Sequence, residues 1–206
     1  MIRYKKYLTA ILFYIAGSIV SSIPLFLSFY FENEFFSYIR KLVYFNMNVF
    51  AITGLSLFFG LVILFDMFFM TKSENIKRNF RNIEMLLGTR NNILLNFILC
   101  LFTGYFEEML FRGILYYLLY ILACFFLSPV FAMIVAVSTV SITFAVFHIT
   151  QGIPGLVMSF IISVVFFISI FISGTIWYAA LFHLIFNFME LTFVIPYQKK
   201  LIDKAI

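Results

Sequence analysis

Runs of apolar residues, each about as long as a membrane-spanning helix, account for most of this chain. A helix needs about 20 such residues to cross the hydrocarbon core of a bilayer. Hydrophobic residues make up 64% of the 206 residues and charged residues only 11%, against about 45–50% and 25% in soluble domains. The runs do not alternate with hydrophilic residues as β-barrel strands do. The sequence therefore predicts an all-α, polytopic transmembrane helix bundle with about six spans.

Turn signals and basic residues divide the chain into four segments. Two leading transmembrane helices are predicted within residues 1–70, because the first apolar run has no convincing small-x-small cleavage site after it. A mixed loop over residues 32–41 separates these two spans. The later segments are a basic loop over residues 71–92, four spans over residues 93–195 and a basic tail over residues 196–206. The positive-inside rule predicts cytoplasmic N- and C-termini in the cell membrane.

The apolar run over residues 93–127 is longer than one spanning helix needs. It is either a long tilted helix with an interfacial extension or two pieces broken near Gly104. The residues alone do not choose between these arrangements.

The formal net charge of +5 sits at the chain ends and in one loop. This distribution fits orientation in a membrane and gives no patch with nucleic-acid spacing, so we expect the lipid bilayer, and no nucleic acid, as a partner. Cys100 and Cys124 both lie in apolar runs and do not indicate a disulfide framework.

Three ionisable residues, Glu107, Glu108 and Arg112, lie inside one apolar run. Each costs about 2.5–3.5 kcal/mol at the centre of a membrane helix, so such residues usually mark a functional site. On a helix, Glu108 and Arg112 are four positions apart and can form an ion pair. Glu107 points about 100° away from Glu108 and is left free to act on another group.

Both histidines of the chain and an asparagine also lie in apolar runs: His148, His183 and Asn187. His183 and Asn187 share one helix face. Straight alternating spans would put the two histidines at different depths, so a common site would need tilted or broken helices.

Two kinds of hydrolytic chemistry fit these side chains. Glu107 and an imidazole can activate a water, while a second imidazole and the Asn187 amide stabilise an oxyanion. Alternatively, Glu107, His148 and His183 can hold a single zinc ion. The cofactor prediction is therefore none or one zinc. Neither a His-Glu-x-x-His helix nor a Gly-x-Ser-x-Gly elbow is present.

The three groups of polar residues resemble the motifs of the CPBP family of intramembrane proteases, which includes CAAX prenyl endopeptidases and the bacteriocin-processing Abi proteins. Its Glu-Glu-x-x-x-Arg motif is similar to Glu107-Glu108 with Arg112. Its Phe-x-x-x-His motif matches Phe144 to His148, and its His-x-x-x-Asn motif matches the stretch that begins at His183. A Gly-Thr-Ile-Trp sequence at residues 174–177 precedes the third motif.

The resemblance covers about residues 90–195 and implies a four-helix catalytic core. It implies that Glu107 with His148 activates water, and that His183 with Asn187 forms the oxyanion site. The supporting residues are then Glu108, Arg112 and Phe144. The implied activity is hydrolysis of a peptide bond in a hydrophobic or membrane-tethered peptide, prenylated or not.

Two other functions fit the same residues. A bacteriocin-immunity or scaffold protein could share the fold and act without proteolysis, and immunity that survives Glu107→Gln would favour it. A transporter or proton relay would also use intramembrane ionisable residues, but it predicts inverted-repeat halves, which are not visible in the sequence.

Overall fold

The computed structural model describes residues 2–69 and 92–197, and within these ranges the chain is helical apart from short connections, with no strand. The all-α fold class is therefore confirmed. The helices are α1 (Ile2–Leu27), α2 (Glu34–Val43), α3 (Val49–Phe69), α4 (Ile93–Cys124), α5 (Pro129–Phe147), α6 (Gly152–Ser173) and α7 (Trp177–Tyr197). The predicted basic loop, apart from Asn92, and the basic tail beyond residue 197 lie outside the described residues.

Five helices in the described ranges are long and apolar enough to cross a membrane, which agrees with a multi-pass membrane protein. They are Leu8–Leu27, Ile93–Cys124, Pro129–Phe147, Ile149–Ser173 and Trp177–Tyr197. Within α3 there is also a shorter apolar stretch, Val49–Leu64. The cytoplasmic location of the termini stays a prediction.

The prediction of a loop over residues 32–41 is wrong, because most of this segment forms α2. The Asn33 side chain accepts a hydrogen bond from the Phe36 amide and caps the helix N-terminus. Glu34 lies in the first turn and two basic residues lie in the last, where they complement the helix dipole. The buried Ile39 and Leu42 anchor the helix to the core.

Helix α4 runs without a break past Gly104, and its irregularity is a π-helical segment, Met109–Leu115. The wide turn starts directly after Glu108, in keeping with the frequent occurrence of π-helical turns at functional sites. The Tyr38 hydroxyl of α2 donates to the Arg112 carbonyl at 2.7 Å and satisfies a backbone group of this segment. Burial raises the pKa of the Tyr38 phenol, so the hydroxyl stays protonated and can donate.

The close approach of α4 to α7 depends on the missing side chain at Gly104. A Cβ atom there would lie 3.0 Å from the Ala180 carbonyl oxygen and 3.1 Å from the Leu184 amide nitrogen. Those two backbone groups flank His183 along α7. The bare backbone at Gly104 therefore lets the carboxylates of the next turn reach His183.

Replacing Gly104 with alanine is expected to destabilise the fold by about 1–3 kcal/mol, because backbone atoms of α7 cannot move aside as a flexible side chain would. The measurement is detergent unfolding of the purified protein. Gly60→Ala is the matched control, since a Cβ at Gly60 meets nothing within 4 Å. Equal stability of the two variants would contradict the proposed close packing.

The C-terminal end of α2 holds the start of α7. The Trp177 indole N–H donates to the Val43 carbonyl at 2.6 Å, and the Thr175 hydroxyl donates to the Leu42 carbonyl at 3.1 Å. Gly174 ends α6 in the left-handed region with φ +73°, which favours glycine. The Gly-Thr-Ile-Trp sequence thus fixes the N-terminus of the helix that carries His183.

Candidate active site

Glu108 and Arg112 form a fully buried ion pair, as their four-residue spacing predicted. Arg112 Nη1 donates to Glu108 Oε1 at 2.9 Å, and neither side chain is exposed. Arg112 Nη2 donates to the Ser163 hydroxyl at 2.8 Å, and that hydroxyl donates to Ser141 Oγ at 3.1 Å. The guanidinium is therefore tied to three helices, α4, α5 and α6.

Aromatic rings enclose the rest of the guanidinium. Arg112 Cζ lies 4.5 Å from the Phe144 ring centroid, 5.4 Å from that of Phe166 and 5.6 Å from that of Phe167. Ring faces attract a cation, and the attraction is stronger where water is excluded. This enclosure offsets part of the cost of burying the charge.

His183 contacts both glutamates of the first motif. Its Nδ1 lies 2.8 Å from Glu108 Oε1, and its Nε2 lies 3.6 Å from Glu107 Oε2. Because the Glu108 carboxylate is paired with Arg112, Nδ1 is the nitrogen that donates to it. A neutral His183 therefore carries no proton on Nε2, the nitrogen that faces Glu107.

Glu107 differs from Glu108 in both exposure and partners. Its side chain is 12% exposed, whereas that of Glu108 is fully buried. Glu107 Oε1 accepts a hydrogen bond from the Tyr14 hydroxyl at 3.3 Å. Glu107 Oε2 is buried and has no hydrogen-bond partner in residues 2–69 and 92–197. Glu108 Oε2 is also without such a partner, so the two carboxylates differ in that Glu108 is paired with Arg112 and fully buried, whereas Glu107 is partly exposed and not paired with Arg112.

Phe144 lies between the two imidazoles. Its ring centroid is 4.6 Å from that of His148 and 6.0 Å from that of His183. His148 caps the end of α5, and its Nδ1 donates to the Phe144 carbonyl at 2.8 Å, which leaves Nε2 available. The helices therefore bring two histidines that are distant in sequence to the same aromatic ring.

Two predicted site residues have no direct link to the carboxylates in the described part of the chain. No hydrogen bond or ion pair joins His148 to Glu107 there. Asn187 follows His183 by one turn of α7 and is partly exposed, and its side chain makes no hydrogen bond to a described residue. The pairings of Glu107 with His148 and of His183 with Asn187 stay predictions.

The zinc set proposed from the sequence is not assembled in this arrangement. Across residues 2–69 and 92–197, no three His, Cys, Asp or Glu side chains are grouped so as to hold a metal ion. The Nδ1 atoms of His148 and His183 are already engaged by a carbonyl and a carboxylate. We therefore derive no catalytic step through a metal.

Sequence reasoning missed three polar residues in the side-chain hydrogen-bond network of the site: Tyr14, Ser141 and Ser163. The serines lie in apolar runs, where a hydroxyl often bonds to the backbone of its own helix, so they carried little signal. Tyr14 lies on α1, outside all three motifs.

A comparison with models of protein families finds a match. Residues 89–189 match the family model described as "Type II CAAX prenyl endopeptidase Rce1-like", a range that contains all three motifs. Searches of curated proteins and of solved structures return no match. The motif resemblance is thus confirmed: over residues 89–189 the chain is similar to the Rce1-like family of type II CAAX prenyl endopeptidases.

Proposed function

We propose that this chain is an intramembrane endopeptidase that hydrolyses a peptide bond in a hydrophobic or membrane-tethered peptide. The observation that carries the proposal is the free Oε2 of Glu107, which is buried, unpartnered among the described residues and 3.6 Å from His183 Nε2. Glu108 Oε2 also lacks a partner among the described residues, but the Glu108 carboxylate is fully buried and neutralised by Arg112, whereas the Glu107 side chain is 12% exposed. Glu107 is therefore the carboxylate suited to act as a base.

In the proposed reaction, Glu107 Oε2 takes a proton from a water while the water oxygen bonds to the carbonyl carbon of the scissile peptide. The carbonyl π electrons move to its oxygen and form an oxyanion. When the oxyanion collapses, the C–N bond breaks, and the proton held by Glu107 passes to the departing amine. His148 assists by accepting a hydrogen bond from the same water through Nε2, the ring nitrogen that its backbone contact leaves available.

His183 and Asn187 are the proposed oxyanion donors. The Asn187 amide can donate without a change of charge, and it makes no competing hydrogen bond to a described residue. His183 can donate through Nε2 only with protons on both ring nitrogens, because Nδ1 already donates to Glu108. A doubly protonated His183 would face both glutamates and lie beside the developing negative charge.

The substrate class follows from the setting of the site within membrane helices. The description of the matched family names CAAX prenyl endopeptidases, so a farnesylated peptide is one reasonable probe. The other probe is a hydrophobic peptide without a lipid, since none of the contacts described at the site requires a prenyl group. Comparing the two probes decides whether the substrate is prenylated.

The test is cleavage by the purified protein in lipid vesicles, with quenched fluorescent versions of both probes. Wild type is expected to cleave at least one probe, and His148→Ala to reduce turnover by about 10²–10⁴-fold through loss of acid–base assistance. Thr143→Ala is the matched control, since Thr143 lies on the same helix and its hydroxyl donates to the Thr139 carbonyl of that helix.

Turnover by His148→Ala equal to that of wild type would contradict the assignment. Wild type inactive on both probes would favour an immunity or scaffold function.

The same assay with an added metal chelator tests whether cleavage requires zinc. Full activity after chelation supports a metal-free, glutamate-activated water, and loss restored by zinc overturns it.

A further inference from the structure

The site includes one residue from outside the segment that matches the family. We propose that Tyr14 of α1 is a positioning residue, whose hydroxyl holds Glu107 Oε1 so that Oε2 stays directed at the reacting water. This inference rests on the proposed function of Glu107. It makes the leading helix a part of the active site, although the family match begins only at residue 89.

The packing of α1 against α4 fixes where the Tyr14 hydroxyl lies. The Phe106 ring fits against Gly17, where a Cβ atom would be 2.8 Å from the ring edge. Phe106 also packs edge-on against Tyr14, with ring centroids 6.0 Å apart. The Ser18 hydroxyl contacts the Phe102 carbonyl at 3.2 Å. These contacts fix the register of α1 against Phe106, the residue directly before Glu107.

The need for a positioning residue comes from the carboxylate itself. Its terminal torsion is broad, so without a directing contact the carboxylate plane could rotate and neither of its two equivalent oxygens would be held toward the reacting water. The charged and titratable groups around Glu107 are Tyr14 from α1, His183 from α7, and Glu108 and Arg112 from its own helix. Among them, Tyr14 is the hydrogen-bond donor that contacts Oε1.

A second tyrosine on the same helix pair provides a matched control. The Tyr105 hydroxyl lies 2.8 Å from Ser22 Oγ and so also links α4 to α1. Tyr105 makes no hydrogen bond to either glutamate in the described part of the chain. Tyr105→Phe therefore removes an equivalent interhelical hydrogen bond without touching the carboxylates.

The experiment compares Tyr14→Phe, Tyr105→Phe and Glu107→Gln in the vesicle assay, on whichever probe wild type cleaves. Tyr14→Phe is expected to lower kcat by about 10- to 100-fold with KM unchanged. The acidic limb of its pH–activity profile is expected to move to higher pH, because the ionised carboxylate has lost a donor. Tyr105→Phe is expected to keep the wild-type kcat and profile.

Failure of the inference about Tyr14 can be distinguished from failure of the proposed function. A Tyr14→Phe enzyme with wild-type kcat overturns the inference, and so does a lower kcat with an unmoved acidic limb, which indicates a structural role only. Equal losses in Tyr14→Phe and Tyr105→Phe also overturn it, because they indicate loosened packing. If Glu107→Gln abolishes cleavage, such results count against Tyr14 alone. If Glu107→Gln is active, both the proposed function and this inference fail.

Discussion

Replacing Glu107 with glutamine is expected to reduce peptide cleavage by about 10²–10⁴-fold, the range that a general base contributes. Glutamine has nearly the same shape, and its amide oxygen can still accept from the Tyr14 hydroxyl. It cannot take a proton from water. The expected loss is therefore in kcat rather than in KM, and the vesicle assay with the cleavable probe measures it.

The control for this change is Glu32→Gln, which alters the same chemical group at an exposed position between α1 and α2. Unfolding in detergent provides a second control. Glu107 Oε2 has no hydrogen-bond partner among the described residues, so the glutamine variant is expected to unfold under the same conditions as wild type. Activity close to wild type would remove Glu107 from the mechanism, whatever the result with His148.

Hydropathy and residue spacing were sufficient to predict the class of fold and the buried ion pair. Long apolar runs leave the backbone few alternatives to helices in a bilayer. The four-residue spacing of Glu108 and Arg112 places both on one helix face, and the 2.9 Å contact is present. In both cases the determining interactions lie within one helix.

The sequence contains no comparable pattern that predicts the irregular parts of the fold. The polar residues of α2 interrupt the apolar run and so predict a loop, although they form the outer face of an amphipathic helix. The π-helical segment Met109–Leu115 was not predicted either. In a helix that is apolar on most sides, one extra residue in a turn leaves no break in the hydrophobic pattern.

The contacts of the site between helices could not be predicted for a related reason. Lipid-facing and core-facing positions are both apolar, so the sequence does not say which face of α1 meets α4. Tyr14 is one of 12 tyrosines and stands out only once α1 is packed against Phe106. The two contacts of His183 with Glu107 and Glu108 likewise depend on the close approach at Gly104.

The largest expected effect on stability is that of Arg112→Leu. This change leaves the fully buried Glu108 carboxylate without its charge partner, and breaking a buried pair from one side costs about 3–5 kcal/mol. Arg112→Lys is expected to recover only part of the loss. An ammonium can reach the carboxylate, but it cannot also bond to Ser163 and present a flat face to Phe144. Detergent unfolding of the purified variants is the measurement.

The double variant Glu108→Gln/Arg112→Leu shows whether the loss comes from the stranded charge. The native pair already leaves Glu108 Oε2 and Arg112 Nε buried without hydrogen-bond partners among the described residues, so the double variant removes both charges and the unsatisfied Nε, while the glutamine amide nitrogen takes the place of Oε2. Glutamine keeps an amide oxygen to accept from His183 Nδ1. The double variant is therefore expected to be more stable than Arg112→Leu alone. If it is equally unstable, the aromatic and serine contacts of Arg112, rather than its charge, hold this part of the bundle together.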